Sequence, residues 1–193
     1  MTPTRSKRGA RIERWRDYEK PERRSLEEAW AELKNDYDMP LNRDGSPLVP
    51  SGVPLPGDEG FGALKTGYVY WEMSGYTLPR AFFGRCLIEW ANFTNTDLHE
   101  SRLCWNDFVD CSFRYADLSG ADLRASLFVR CRFDHSSLSN ADFRGSAFHD
   151  CTFSEANVSG CNMVRGVEGI RLSAEQTATL IWSDEPGAEP PGG

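Results

Sequence analysis

From Cys86 to Arg165 the chain repeats every five residues, through sixteen pentads with no insertion or slip. The first position of each pentad is Cys, Ala, Thr, Ser or Asn, the third is a large apolar residue, and the other three are mostly polar. An amphipathic helix would show a period near 3.6 and a half-buried strand a period of 2, and neither survives here. A fixed internal repeat dictates the architecture before any local propensity does.

A second period lies over the first, because third positions match in kind every twenty residues. The columns are Ile88, Phe108, Phe128, Phe148; Phe93, Phe113, Phe133, Phe153; Leu98, Leu118, Leu138, Val158; and Leu103, Leu123, Phe143, Met163. Small positions keep the same register, as in Cys111, Cys131 and Cys151. A pentad repeat acquires a twenty-residue memory when four pentads close one turn and like stacks on like. The expected fold is therefore an all-β solenoid of square section, one pentad per side, with four to five turns. Turns spaced like hydrogen-bonded strands, ~4.8 Å apart, give a rod on the order of 20 Å long. The third-position side chains fill its shaft, and the small first-position side chain faces in beside them.

The pentads ADLSG (116–120), ADLRA (121–125), ADFRG (141–145) and ANVSG (156–160) resemble the A-[D/N]-L-x-x consensus of the pentapeptide-repeat family. The resemblance implies a right-handed quadrilateral β-helix. It also implies possible functions, because family members include acidic rods that mimic duplex DNA. These bind DNA gyrase or topoisomerase IV and protect against quinolones or other topoisomerase poisons. Fold alone does not fix function.

The flanks break the pattern. Residues 1–65 read as a helical and Pro/Gly-rich extension that packs on the rod. Within it a short helix is expected over 11–20, and a second over about 26–36, where Ser25 and Glu28 form a capping box. Residues 39–61 read as loop, with five prolines and four glycines. Residues 66–85 read as a degenerate first turn, with Tyr76 and Trp71 at positions that are otherwise small. Terminal repeats of solenoids are commonly atypical. The phase fails after Arg165, and 166–183 read as a capping helix begun by Ser173 and Gln176, lying across the open end of the rod. Residues 184–193 read as a disordered tail.

Net charge is −7, unevenly spread: residues 1–24 carry +5 and the repeat block 86–165 carries −4. The basic run Arg5–Arg24 is interleaved with Glu and Asp, so it reads as a solvated face, and direct nucleic-acid binding is not expected. No apolar run reaches the length of a membrane span, and no secretory signal follows the N-terminus. A cytoplasmic protein without membrane attachment is expected. Five of the six cysteines fall on the small inward position and read as buried hydrophobes rather than a disulfide framework. Cys104 alone falls outward, beside Trp105.

No catalytic constellation, metal-ligand spacing or phosphate loop occurs, and no cofactor is expected. His99, His135 and His149 fall on three different sides of the square. The protein reads as a non-enzyme whose function lies on its outer faces. The candidate partner-binding surface is Asp117, Asp122 and Asp142 on the acidic side, with Trp90 and Trp105 outward. The expected partner is another protein, a type II topoisomerase being the alternative the resemblance implies, and a homodimer through the C-terminal helix is a further expectation.

Overall fold

The computed structural model describes residues 20–25, 28, 62–64 and 67–185. They form a parallel β-solenoid of about five turns in which residue i pairs with residue i + 20. The first face is a sheet of five strands: β2 (Gly67–Val69), β4 (Leu87–Glu89), β5 (Asp107–Val109), β6 (Leu127–Val129) and β7 (Ala147–His149). The second and third faces stack through single bridges, such as Asn92 to Ser112 and Asp97 to Asp117. The fourth face starts with β1 (Gly62–Leu64) on β3 (Phe82–Gly84) and continues through bridges at Arg102, Asp122 and Asp142 to β8 (Asn162–Val164). The rod thus includes residues 62–64, ahead of the 66–85 turn read from sequence. The helices expected over 11–20 and 26–36 and the loop over 39–61 lie outside the described residues, apart from Lys20 and Glu28. At Ser25 the expected capping box is formed: Glu28 N–H donates to Ser25 Oγ at 3.2 Å, and Ser25 N–H to Glu28 Oε2 at 2.8 Å.

The corner of the square is made at the fifth position. Every fifth residue from 70 to 160 has φ between 52° and 74°. Most are not glycine, and each of those accepts a left-handed conformation costing roughly 1–2 kcal/mol. On the second and third faces the conformation is imposed by the turn that follows the central residue. Thr96 N–H donates to Phe93 C=O at 3.1 Å, and the same bond recurs at Ala116, Ser136 and Ala156. A four-residue turn with positive φ at its third residue is type II.

The shaft is close-packed. Phe93, Phe113, Phe133 and Phe153 stack with centroids 5.0, 5.0 and 4.8 Å apart, and Phe108, Phe128 and Phe148 at 5.2 and 5.3 Å. The two stacks meet edge to face, as Phe128 meets Phe133 at 5.4 Å and 72°. The ladder spacing forces like rings in one rotamer into parallel stacks, and the corner turns the neighbouring column so that ring edges meet ring faces. Leu98, Leu118, Leu138 and Leu123 are equally buried on the other two faces. The oversized Trp71 is also buried, edge-on to Phe83 at 5.6 Å, because the end of the rod has room that interior turns lack.

The C-terminal segment is not a helix throughout. Helix α1 covers only Ala174–Thr179, and β9 (Ile181–Ser183) then pairs with β8. Met163 pairs with Trp182, an offset of nineteen, so this segment builds a further, imperfect turn rather than lying across an open end. The expected capping box is present, with Gln176 N–H on Ser173 Oγ at 3.1 Å and Ser173 N–H on Gln176 Oε1 at 2.9 Å. Gln176 Nε2 also donates to the carbonyls of Phe153 and Ala156 at 2.8 and 2.9 Å, which the next turn would otherwise satisfy. Glu168, which stands where the pentad phase would place a central apolar residue, is followed by the residue that covers the last strand. Gly169 sits at φ 79°, and a Cβ there would lie 1.8 Å from Phe148 O. Gly169→Ala should therefore lift residues 166–170 off β7. We expect a loss of about 2 kcal/mol or more, seen as a lower thermal midpoint and faster amide exchange at Cys151. An unchanged midpoint would show that the cap does not support the rod.

Candidate interaction surfaces

The first position does more than avoid crowding. Thr96 Oγ1 donates to Met73 O at 2.7 Å, Asn106 Nδ2 to Phe83 O at 2.7 Å, and Ser126 Oγ to Leu103 O at 2.9 Å. Each bond reaches twenty-three residues back and satisfies the central carbonyl of the turn before. The cysteines do the same, with Cys111, Cys131 and Cys151 Sγ 3.3–3.4 Å from the carbonyls of Ile88, Phe108 and Phe128. Burial pushes the Cys131 thiol well above its ordinary pKa and the Cys161 thiol up to about 12. Burial, with the Asp122 charge nearby, also raises Cys104. Nucleophilic and metal-binding chemistry needs the thiolate, so these thiols are held in the neutral form. Among the described residues no group of three or more His, Cys, Asp or Glu is placed to hold a metal ion.

The second position carries the acids, and they are engaged. Asp117 Oδ1 accepts Ser119 N–H at 3.0 Å and Ser119 Oγ–H at 2.6 Å. Asp122 accepts the backbone N–H of Arg124 at 3.2 Å and its guanidinium at 2.8 Å on both oxygens. Asp142 holds Arg144 in the same way, with Nη2 at 2.7 Å, and also lies 3.9 Å from Arg124. The backbone bond is the local turn contact that short acidic side chains make. The Asp122–Arg124 and Asp142–Arg144 pairs make the fourth face a neutralised zipper of half-buried groups, whereas Asp117 lies on the third face and meets only a neutral serine. Burial works against the Asp122 carboxylate, but the hydrogen bonds and charge of Arg124, aided by Arg102, hold its pKa below the usual range. A depressed carboxylate contributes stability above its unfolded value of about 4. That contribution is lost as pH falls through the folded value. Asp122→Asn keeps the backbone acceptor and removes the charge. It should be ~0.5–1 kcal/mol less stable than wild type at pH 7, with the gap closing on acidification. A gap independent of pH would rule out the ion pair as its cause.

The two tryptophans separate. Trp90 is only 6% exposed, contrary to the outward placement expected, because Tyr70 on the preceding turn lies against it at 6.2 Å. Trp105 is 38% exposed, since the residues after it in its column are Ala125 and Gly145. Exposed apolar side chains gather instead on the first face, where Leu87 is 45% and Val69 57% exposed. Val109, Val129 and Leu127 continue that face half-buried.

A profile of pentapeptide repeats matches eight copies over residues 86–124 and 126–163. Residues 86–163 form a pentapeptide-repeat domain. Solved structures similar to this chain include a pentapeptide repeat protein from the thylakoid lumen of Arabidopsis thaliana. It is 25% identical over 58% of this chain and 72% of that one, with TM-score 0.31. HetL, a pentapeptide repeat protein involved in heterocyst differentiation regulation from a Nostoc cyanobacterium, is 16% identical over 63% and 69%, with TM-score 0.29. QnrB1, a plasmid-mediated fluoroquinolone resistance protein, is 14% identical over 61% and 94%, with TM-score 0.23. No match to a curated protein sequence was found.

A feature outside the pentapeptide repeats completes the surface. Residues 20–25 run as a strap along the corner between the second and third faces, antiparallel to the growth of the rod. Arg24 N–H donates to Gly75 O and Arg24 Nη1 to Ser74 O, both at 2.6 Å, while Thr77 Oγ1 donates to Arg24 O. The Arg24 guanidinium sits 4.7 Å over the Tyr76 ring. Arg23 donates to Asn95 O at 3.3 Å and lies 3.9 Å from Asp97, and Asn95 Nδ2 donates to Pro21 O at 2.6 Å. Lys20 Nζ ends 5.7 Å over the Tyr115 ring. The end of the basic run is thus packed on the rod, where the sequence suggested a solvated face. The interleaved charges of the run gave no signal for this. Its receptor is scattered over three turns and meets only when turns stack.

Proposed function

We propose that this protein is a non-enzymatic protein-binding scaffold. The observation that carries the reading is the first face: a flat five-stranded parallel sheet with Leu87, Val69 and Trp105 exposed along or beside it. Large apolar side chains left exposed on a rigid element, here interspersed with Glu89 and Asp107, are characteristic of a contact site. The side chains beneath it are fixed by the shaft, so the surface is preorganised and loses little freedom on binding. Comparative affinity capture tests this, with wild type and a Val69→Arg/Leu87→Arg variant as baits. A partner set held by wild type and lost by a variant of unchanged circular dichroism supports it. Identical sets from both baits would overturn it.

Topoisomerase binding by DNA mimicry is the weaker reading. A mimic needs unpaired charge at regular spacing, whereas Asp122 and Asp142 are each bonded to an arginine of their own pentad. A gyrase supercoiling assay, titrated with and without a fluoroquinolone, should show no effect at micromolar protein. Inhibition or drug protection would restore that reading.

A further inference from the structure

Among the described residues, the strap fills only the upper half of the corner it occupies. Below it an open groove of about 630 Å³ continues between Lys20 and Arg23 on one side and Tyr115, Asp117, His135 and Ser137 on the other. The two columns that the strap reads, Gly75–Asn95–Tyr115 and Thr77–Asp97–Asp117, run on in register as His135 and Ser137, then Glu155 and Asn157. Asp97 shows what this corner does with a cation. Its Oδ1 bonds His99 at 2.6 Å, and its Oδ2 faces Arg23 at 3.9 Å. Asp117 is the same residue one turn on. Its Oδ1 is held by Ser119, and its Oδ2 makes no hydrogen bond among the described residues. Beside it Tyr115 and His135 are stacked at 4.8 Å and 4°, continuing the aromatic edge on which Lys20 rests. Further along, the Glu155 carboxylate is 75% exposed and 3.2 Å from His135.

We propose that the lower half of this corner groove docks an extended segment of a partner protein carrying arginine or lysine. A cationic side chain then sits at Asp117 Oδ2 as Arg23 sits at Asp97. The strap is the intramolecular stand-in for that partner, using main-chain bonds, a cation over a ring and a guanidinium on an aspartate. The inference rests on reading the protein as a scaffold and names a second surface of it and the chemistry that surface takes.

The test uses the full chain and a fluorescein-labelled peptide, Lys-Pro-Glu-Arg-Arg-Ser, followed by anisotropy. A counterpart with glutamine for both arginines serves as the charge control. Saturable binding is expected, lost with the glutamine peptide and weakened at least ten-fold by Asp117→Asn, which keeps the bond to Ser119. Glu175→Gln, in α1, should leave it unchanged. Circular dichroism and the thermal midpoint establish that the variants are folded. No binding at millimolar peptide overturns the proposal, as does binding that Asp117→Asn leaves intact. Binding seen only in an Arg23→Gln/Arg24→Gln variant places the peptide in the upper half and also overturns it. None of these failures touches the affinity-capture result, which reads the first face.

Discussion

Phe133→Asp is expected to yield no soluble folded protein. Phe133 is fully buried, stacked 5.0 Å from Phe113 and 4.8 Å from Phe153, with Phe128 and Phe143 edge-on at 5.4 and 6.0 Å. Removing the ring alone, as Phe133→Ala, should cost about 3–5 kcal/mol, a large part of the ~5–15 kcal/mol that holds a domain together. The aspartate adds a charge that the apolar side chains of the shaft cannot pair. In a solenoid each turn contacts only its neighbours. The defect should therefore split the rod at that turn rather than be absorbed. Urea denaturation of Phe133→Ala, with expression and solubility of Phe133→Asp, measures both. A soluble Phe133→Asp with native circular dichroism would show that the shaft tolerates water and that the ring stack is not its core.

Asn106→Leu is expected to be nearly as damaging, although it adds apolar volume to a buried site. Asn106 Oδ1 accepts Cys86 N–H at 2.9 Å, and its Nδ2 donates to Phe83 O at 2.7 Å. Both partners are main-chain groups at the corner between the fourth and first faces. Leucine leaves a buried donor and a buried acceptor unmet, at about 1–3 kcal/mol each. We expect a loss of ~2–6 kcal/mol in total, larger than for Asn106→Ser, because serine holds the equivalent place in the next two turns. Ser126 Oγ accepts Asn106 N–H at 3.1 Å, and Ser146 Oγ accepts Ser126 N–H at 3.3 Å. Equal midpoints for the leucine and serine variants would show that the first position is selected for size alone.

Asn106 also marks where sequence reading stopped short. A small residue at every first position signals limited space, and that was legible. Its second task, answering a carbonyl twenty-three residues back, was not, because Ala, Ser, Cys and Asn all pass a size filter. The fifth position was hidden more thoroughly. Trp90, Glu100, Tyr115 and Arg130 give no hint of a left-handed backbone. There the tertiary ladder overrides a local preference that Gly75, Gly120, Gly145 and Gly160 express, and Asn95 and Asn140 in part. From sequence the aspartates read as a partner-binding surface. That Arg124 and Arg144 would neutralise them was open to view two residues along each pentad, and the surface expected to be acidic is correspondingly muted.

Periodicity by itself determined the shaft. A repeat of five within a repeat of twenty admits one closed arrangement that buries Phe93, Phe113, Phe133 and Phe153 together, and composition could not blur it. Tertiary structure alone decided the surface. Arg23 and Arg24 lie seventy-two and fifty residues from the groups they bind at Asn95 and Ser74. Trp90 is covered by a tyrosine a full turn away, and β9 joins the ladder with an offset of nineteen. The physical reason is one of range. The core is written in contacts that recur at a fixed interval, and every repeat restates them. The strap, the cap and the groove are single long-range contacts, made once, with no repetition along the chain to reveal them.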